Sequence, residues 1–252
     1  MTNRLHHAPR LYIEHPLSGG ISVTIEPDQA HYLKNVMRLK TSDNLRLFNG
    51  RDGEWLGAIS AVGKKNDLAV AIHERLKPQT AEPDLWLLCA PIKKAHFDYM
   101  IEKATELGVG VIQPLLTHRT QIREVNVERC RSIAIEAAEQ SERLSIPNIH
   151  KPVSLNELLS NWPGNRTLIV CAEWGDAVPV KDALAKLKPA PVAILTGPEG
   201  GLAEEELDQL RKIKNSVFVR LGPRILRADT AAIAALTCWQ ALCGDWGKAS
   251  ST

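Results

Sequence analysis

Val192-Ala-Ile-Leu-Thr-Gly-Pro-Glu-Gly-Gly201 decides the fold: an apolar run passes into a glycine-rich turn and then, at Ala203-Glu-Glu-Glu206, into an acidic helix start. A short run of apolar residues suits a strand buried on both faces. Three glycines at a strand-to-helix junction permit positive φ and close approach of backbone to a ligand. The loop lacks the Lys-Ser/Thr ending of a P-loop and lacks G-x-G-x-x-G. Glu199 and the three carboxylates that follow it repel phosphate. The ligand this loop suits is neutral or cationic here and offers hydroxyls or an amino group. A tight turn that binds nothing accounts for the same residues.

Outward from this stretch the chain alternates strand and helix. Apolar runs at 85–90, 110–116, 167–172, 192–196 and 216–221 read as strands; 94–107, 127–140, 155–160, 180–187, 203–213 and 229–242 read as amphipathic helices. Such interleaving predicts an α/β domain whose mainly parallel sheet is covered on both faces. Ligands of such sheets lie beyond the carboxyl ends of the strands. A second segment, Leu221-Gly-Pro-Arg-Ile-Leu-Arg-Ala-Asp-Thr-Ala231, also follows an apolar strand. Asp229 or Thr230 can cap the helix that follows. Arg224 and Arg227, three apart, are not explained by folding and suit an anion or a base.

Residues 10–75 read differently, as a small β-rich unit with one helix. Strands are expected at 10–13, 20–25, 44–48, 54–62 and 67–72, with turn signals at Asn49-Gly-Arg-Asp-Gly53 and Gly63-Lys-Lys-Asn66. Between the second and third strands, 28–39 places Ala30, Leu33, Val36 and Met37 on one helical face. Pro78-Gln-Thr-Ala-Glu-Pro83 separates the two patterns, which sets domains at 1–77 and 84–252.

With 252 residues, 44% hydrophobic and 24% charged, the chain can bury an ordinary core, and a net charge of +2 removes any argument from overall basicity. The first 80 residues hold 11 Lys+Arg against 8 Asp+Glu and five of the eight histidines. That slight excess alone does not call for a polyanion. The start has no leader-like apolar core and no run approaches a bilayer span, so a soluble cytoplasmic protein is expected. The five cysteines form no C-x-x-C pair and sit in apolar segments, which predicts buried reduced thiols and no metal site. The tail at 248–252 is expected to fray.

A third polar cluster comprises Glu102-Lys-Ala-Thr-Glu-Leu-Gly108, Thr117-His-Arg-Thr120 and Glu136-Ala-Ala-Glu-Gln-Ser-Glu-Arg143. Solvent-facing salt pairs at helical spacing account for it as well as a site does. Taken with the 195–201 loop, with Leu221-Gly-Pro-Arg-Ile-Leu-Arg227 and with Asp229-Thr-Ala231, its order and spacing resemble those of the RsmE family. These are small-subunit ribosomal RNA methyltransferases of the SPOUT superfamily that modify uridine at N3. The resemblance runs from about residue 10 through residue 242. Two positions depart from the family pattern: Asp229 stands where glutamate is usual, and His118 stands where many relatives have glutamate before the arginine.

The resemblance implies a PUA-like β-barrel that helps bind RNA, followed by a SPOUT α/β domain with a carboxy-terminal deep trefoil knot, a rare exception to unthreaded connections. It implies a homodimer acting on 16S rRNA within the small ribosomal subunit, with no membrane partner. The implied cofactor is S-adenosylmethionine, held by Leu195, Thr196, Gly197, Pro198, Glu199, Gly200 and Gly201, by Leu221, Gly222, Ile225, Leu226 and Arg227, and by Thr230 and Ala231. A sulfonium cation with ribose hydroxyls and an adenine amine suits a glycine loop that carries a carboxylate. Arg10, Lys34, Arg38, Lys40 and Arg51 are the candidate RNA contacts.

Methylation at N3 requires loss of the uracil N3 proton, since the neutral nitrogen has no in-plane lone pair. The resemblance places Arg227 or Arg119 to supply a cation that favours the anion; Arg227 is the leading catalytic candidate, with Arg119, His118 and Glu142 behind it. The alternatives are a binding-only RNA module and a methyltransferase acting on a different RNA nucleotide. A Rossmann oxidoreductase is not supported, because Leu87-Leu-Cys-Ala-Pro-Ile-Lys93 contains no glycine.

Overall fold

Five stretches before residue 80 form strands in the computed structural model, which describes residues 8–62, 68–172 and 175–247. They are β1 (Arg10–Tyr12), β2 (Ser22–Ile25), β3 (Asn44–Phe48), β4 (Glu54–Val62) and β5 (Leu68–Lys77). β2 shows why: Val23 and Ile25 point inward while Ser22 and Thr24 face solvent, the period of a half-buried strand. The sheet order is β1-β3-β4-β5-β2, with β1 and β3 parallel and the other pairs antiparallel. Leu11, Ile25, Leu47, Ile59 and Val70 from the five strands share one core with Ala30 and Leu33. The turn expected at 63–66, the start of the strand expected at residue 67 and the tail at 248–252 lie outside the described residues.

The helix of this unit departs from its expected face. It runs as α1 (Pro27–His31) and continues as one π-helical turn, Tyr32–Val36, in which the Met37 N–H donates to the Tyr32 carbonyl at 3.1 Å. The wider winding carries Val36 and Met37 off the apolar face that Ala30 and Leu33 keep, leaving them 63% and 37% exposed. Arg38 (φ 59°) and Ser42 (φ 75°) then take the left-handed backbone region that turns the chain toward β3.

Arg10 is not a surface cation. Its side chain is 2% exposed; Nε donates to Glu54, Nη1 to the carbonyls of Ala138 and Glu139, and Nη2 to the carbonyl of Arg143. The expected phosphate contact at this position is therefore corrected: the guanidinium is spent inside the fold, over the Phe48 ring at 4.3 Å. The same bonds correct the expected domain limits. The amino-terminal unit reaches Ala81 and also takes in Ala138–Ile146, while the second unit comprises Glu82–Ala137 and the chain from Pro147 onward.

Glu142 belongs to this latch. Its carboxylate accepts from Arg46 at 2.8 Å and from Lys77 at 2.7 Å, with the residue itself at φ 61°. The Lys77 and Arg46 hydrogen bonds outweigh partial burial and hold its carboxyl down at about 2, against an ordinary 4.5. A depressed carboxylate stabilises the fold fully above its unfolded pKa and loses that contribution as pH falls through the folded value. The melting-temperature gap between wild type and Glu142→Gln is therefore expected to be constant near neutrality. It should close between about pH 4.5 and pH 2. Melts across that window check it; a gap that persists at pH 2 contradicts the ion-pair account. The pair is half exposed and screened, so the gap is modest.

In the second unit, β6 (Leu85–Cys89), β7 (Val111–Leu116), β10 (Thr167–Cys171), β12 (Val192–Thr196) and β13 (Ser216–Arg220) fall within a residue or two of the expected strands. Three short strands were not expected: β8 (Asn148–Ile149), β9 (Val153–Ser154) and β11 (Val178–Pro179). The order β11-β13-β10-β12-β6-β7-β8 is parallel at each pairing, and β9 adds to β7. Alternate residues feed two cores. Leu85, Leu87, Ile169, Val192, Ile194 and Val219 pack with helices α2 (Lys94–Glu106), α3 (Val127–Gln140), α5 (Val180–Leu184) and α7 (Ala228–Leu242). Leu88, Leu168, Val170, Ala193 and Leu195 pack with α4 (Leu155–Ser160) and α6 (Glu204–Arg211). This is the doubly covered parallel sheet that continuous apolar runs dictate.

Lys103 bridges Glu102 and Glu106, each at 2.7 Å, which makes the first part of the third polar cluster a salt-paired surface. All five cysteines are free; Cys89 and Cys130 are buried, but Cys243 is exposed where α7 ends, against the expectation of five buried thiols. No helix of the described residues is long and apolar enough to cross a membrane.

Candidate cofactor pocket and active site

β13, β10 and β12 lie side by side, and their carboxyl ends meet in register, Cys171 opposite both Thr196 and Val219. Beyond these ends opens a cavity of about 390 Å³, within the range of small-molecule sites. Its walls are the ends of the three strands, the 196–202 loop, the 219–226 segment and the first turn of α7. Gly201 (φ 71°) closes the first loop, its N–H donating to the Pro198 carbonyl at 2.9 Å, and Gly222 (φ 115°) opens the second. Both need the backbone freedom that glycine supplies.

Glu206 organises the rim. One carboxylate oxygen accepts from the Ala203 N–H at 2.9 Å, the glutamate half of a capping box on α6, and the other accepts from the His118 N–H at 2.8 Å. The 117–120 turn is itself closed by Thr117 and Thr120, whose hydroxyls lie 2.8 Å apart. Arg119 projects from it and donates from Nη1 to the Gly200 carbonyl at 2.7 Å. The acidic helix start read as a repulsive run is thus partly a brace, because Glu206 is buried and committed to two backbone donors.

The structure gathers most of the expected residues. Thr196, Gly197, Pro198, Glu199, Gly200, Gly201, Leu221, Gly222, Ile225, Leu226, Ala231 and Arg119 line the one cavity. Leu195 does not; it is fully buried in the core beside Leu168 and Val170, because a strand residue next to an inward-lining neighbour points to the other face. Arg227 and Thr230 are exposed at the start of α7, next to the lining but not in it. His118 is exposed beside Arg119. Glu142 lies in the amino-terminal unit, and its carboxyl, held at about 2, is a poor proton acceptor; the expectation of a catalytic role there is withdrawn.

Cys171, Ala172, Leu202, Leu207, Val219, Arg220, Pro223, Arg224 and Ala228 also line the cavity. The rule that ligands sit beyond carboxyl ends pointed to Cys171 and Ala172 at the end of the 167–172 strand, whereas Leu207 on α6 carried no sequence signal. Arg220 is engaged with the Ala177 carbonyl at 2.9 Å.

Asp229 does not cap α7. Arg227 is the N-cap residue, its carbonyl accepting from the Ala231 N–H at 2.8 Å. Asp229 is buried and turns toward α2, where its carboxylate lies 2.8 Å from His96 Nδ1 and accepts from the Thr230 N–H. Burial pushes this carboxyl up, but His96 and the Thr230 N–H more than offset it, and it stays below its ordinary range. The shortened carboxylate therefore has a defined partner.

Comparison with known proteins places these features. Residues 80–240 match the RNA methyltransferase domain and residues 25–69 the RNA methyltransferase PUA domain. Fold and site together define an RNA methyltransferase. The ribosomal RNA small subunit methyltransferase E of Rickettsia conorii is 40% identical over 90% of this chain and 93% of its own length, and that of Synechocystis is 34% identical over 96% and 78%. The chain belongs to the ribosomal RNA small subunit methyltransferase E family. The Neisseria gonorrhoeae member, solved bound to S-adenosylmethionine, superposes with a TM-score of 0.86 at 29% identity, covering 95% of this chain and 100% of that one.

Proposed function

We propose that this chain transfers a methyl group from S-adenosylmethionine to N3 of a uridine in 16S rRNA, acting in the cytoplasm as a homodimer on the small ribosomal subunit. The observation that carries the reading is the cavity at the ends of β10, β12 and β13, walled by the glycine loop that the family relationship marks. The donor set suits the cofactor. Glycines expose main-chain groups, Glu199 puts a carboxylate at an exposed edge, and the loop lacks the lysine-bearing cradle of a phosphate site. The same reading takes the 195–201 and 221–227 segments as the threaded loops of a trefoil knot. Ile225, Leu242 and Trp246, each more than half exposed, support a subunit interface.

S-adenosylmethionine, when bound, supplies an already activated methyl group. What the chain adds is alignment and charge. Arg119, at the cavity wall, and Arg227, exposed at the start of α7, offer guanidinium groups to O2 or O4 of the uracil, where negative charge accumulates as N3 loses its proton. His118, exposed beside Arg119, is the nearest imidazole on that turn for accepting the proton. For RNA, Tyr32, Arg38 and Lys40 are each exposed, and Arg51 is tethered to the Glu14 carbonyl at 2.8 Å. With Lys34 on the π turn they offer phosphate contacts, and the Tyr32 ring offers a face for a base.

The test is transfer of labelled methyl from S-adenosylmethionine to small subunits lacking the modification. Stoichiometric incorporation into 16S rRNA is expected. RNA binding without incorporation contradicts the enzyme reading and leaves a binding module.

A further inference from the structure

Asp229 is the one carboxylate between Leu221 and Leu242, two residues after Arg227 and five after Arg224. Both arginines are exposed, and among the described residues neither makes an ion pair or a side-chain hydrogen bond. Two other cations of this unit do take the carboxylates near them in the chain: Arg211 pairs with Glu204 and Asp208, and Lys103 with Glu102 and Glu106. Opposite charges this close along the chain attract, so the separation of Asp229 from Arg227 has a cause elsewhere.

The cause is His96, in the first turn of α2. One Asp229 carboxylate oxygen lies 2.8 Å from His96 Nδ1, and the other accepts from the Thr230 N–H at 2.8 Å. Nδ1 is the donor, since the carboxylate it meets is ionised. A negative charge in the first turn of α7 suits the helix end, but turned back toward Arg227 it neutralises the guanidinium. The Asp229 side chain is 11% exposed and that of His96 43%. Removal of the imidazole therefore leaves a largely buried carboxylate oxygen without its donor and with a path to solvent. Arg227 is then the nearest cation along its own segment.

We propose that His96 is a positioning residue for methyl transfer: by occupying the Asp229 carboxylate, it keeps the Arg227 guanidinium unpaired and available to the uracil anion. His96 and Asp229 line no part of the cavity, so the effect reaches the reaction only through Arg227. The assignment rests on the reading of Arg227 as the cation of a uridine methyltransferase. It also gives the aspartate at position 229 a role in the site that helix capping does not supply.

Single-turnover transfer to small subunits lacking the modification, at saturating S-adenosylmethionine, tests it. His96→Ala is expected to slow transfer about 5-fold, the upper range for an ion pair open to solvent. His96→Asn, whose side-chain amide reaches as far as Nδ1, is expected to restore the rate. His96→Ala/Asp229→Asn is expected to transfer close to wild type as well, because the amide keeps the Thr230 contact and carries no charge to Arg227. Adding His96→Ala to Arg227→Ala is expected to slow transfer no further. If the contact merely ties α2 to α7, His96→Ala/Asp229→Asn stays as slow as His96→Ala, and that result overturns the assignment. A wild-type rate in His96→Ala overturns it too, as does a fall in S-adenosylhomocysteine affinity that accounts for the slower transfer. Wild type that binds S-adenosylhomocysteine and methylates no RNA overturns the methyltransferase reading instead.

Discussion

Under the proposed function, Arg227→Ala is expected to lower the rate of methyl transfer by about 10²- to 10³-fold, the usual cost of removing one donor to developing negative charge. The expectation depends on the separation of side chain from backbone at this position. The Arg227 carbonyl starts α7 by accepting from the Ala231 N–H, and no side-chain cap bond is made there. Truncation therefore leaves the helix start and the cavity lining in place. Affinity for S-adenosylhomocysteine should stay within about threefold and the melting temperature within a degree or two, as for a surface substitution. Single-turnover transfer at saturating cofactor isolates the effect from binding. A variant that transfers at close to the wild-type rate removes Arg227 from the chemistry and turns the catalytic assignment to Arg119.

The largest expected loss of stability comes from the opposite end of the chain. Arg10→Ala removes the hydrogen-bond donor of the Glu54 carboxylate, itself fully buried with its other oxygen making no hydrogen bond, and the donor that reaches the carbonyls of Ala138, Glu139 and Arg143. Breaking a buried pair by removing one partner costs about 3–5 kcal/mol. Arg46 and Lys77 stand 3.9 and 3.8 Å from Glu54 and soften the loss without replacing the fork that Arg10 provides. Amide exchange in β3 and β4 under increasing urea reads the free energy of this unit separately from the rest. Protection lost by several kcal/mol, with partial recovery in Arg10→Ala/Glu54→Leu, is the expected pattern. A loss below about 1 kcal/mol, the level of an exposed pair, contradicts the latch.

The role of Arg10 is one that local sequence does not carry. Strands and helices of the second unit follow from the period of their apolar residues, and helices at 127–140 and 155–160 fall on the residues expected. Their hydrophobic periodicity is local and long enough to fix the element. The role of Arg10 is not local: its partners lie 44 and 128–133 positions away, and an arginine reads the same whether it faces solvent or a carboxylate. The assignment of 138–146 to the amino-terminal unit was hidden for the same reason. A 3.6-residue period puts Val36 and Met37 on the apolar face, and the π turn does not follow that period.

At the site, the two glycine-bearing loops were legible because strand, turn and helix start are consecutive in the chain. The 117–120 turn, drawn in through Glu206, could be ranked only by resemblance. Glu142 resembled an active carboxylate by its neighbours in sequence, yet Arg46 and Lys77 hold it. Aspartate and threonine are favoured N-cap residues, which makes Asp229 or Thr230 the expected cap, whereas the Asp229 carboxylate is turned toward His96 on α2.

Under the proposed function, this cavity directs a methyl group to N3 of uridine in small-subunit RNA. The most direct measurement is to methylate small subunits lacking the modification with labelled S-adenosylmethionine, digest the RNA to nucleosides, and identify the labelled one by mass and retention. N3-methyluridine from a single site is the expected product. Label in a ribose-methylated nucleoside, in another base, or spread over many positions contradicts it.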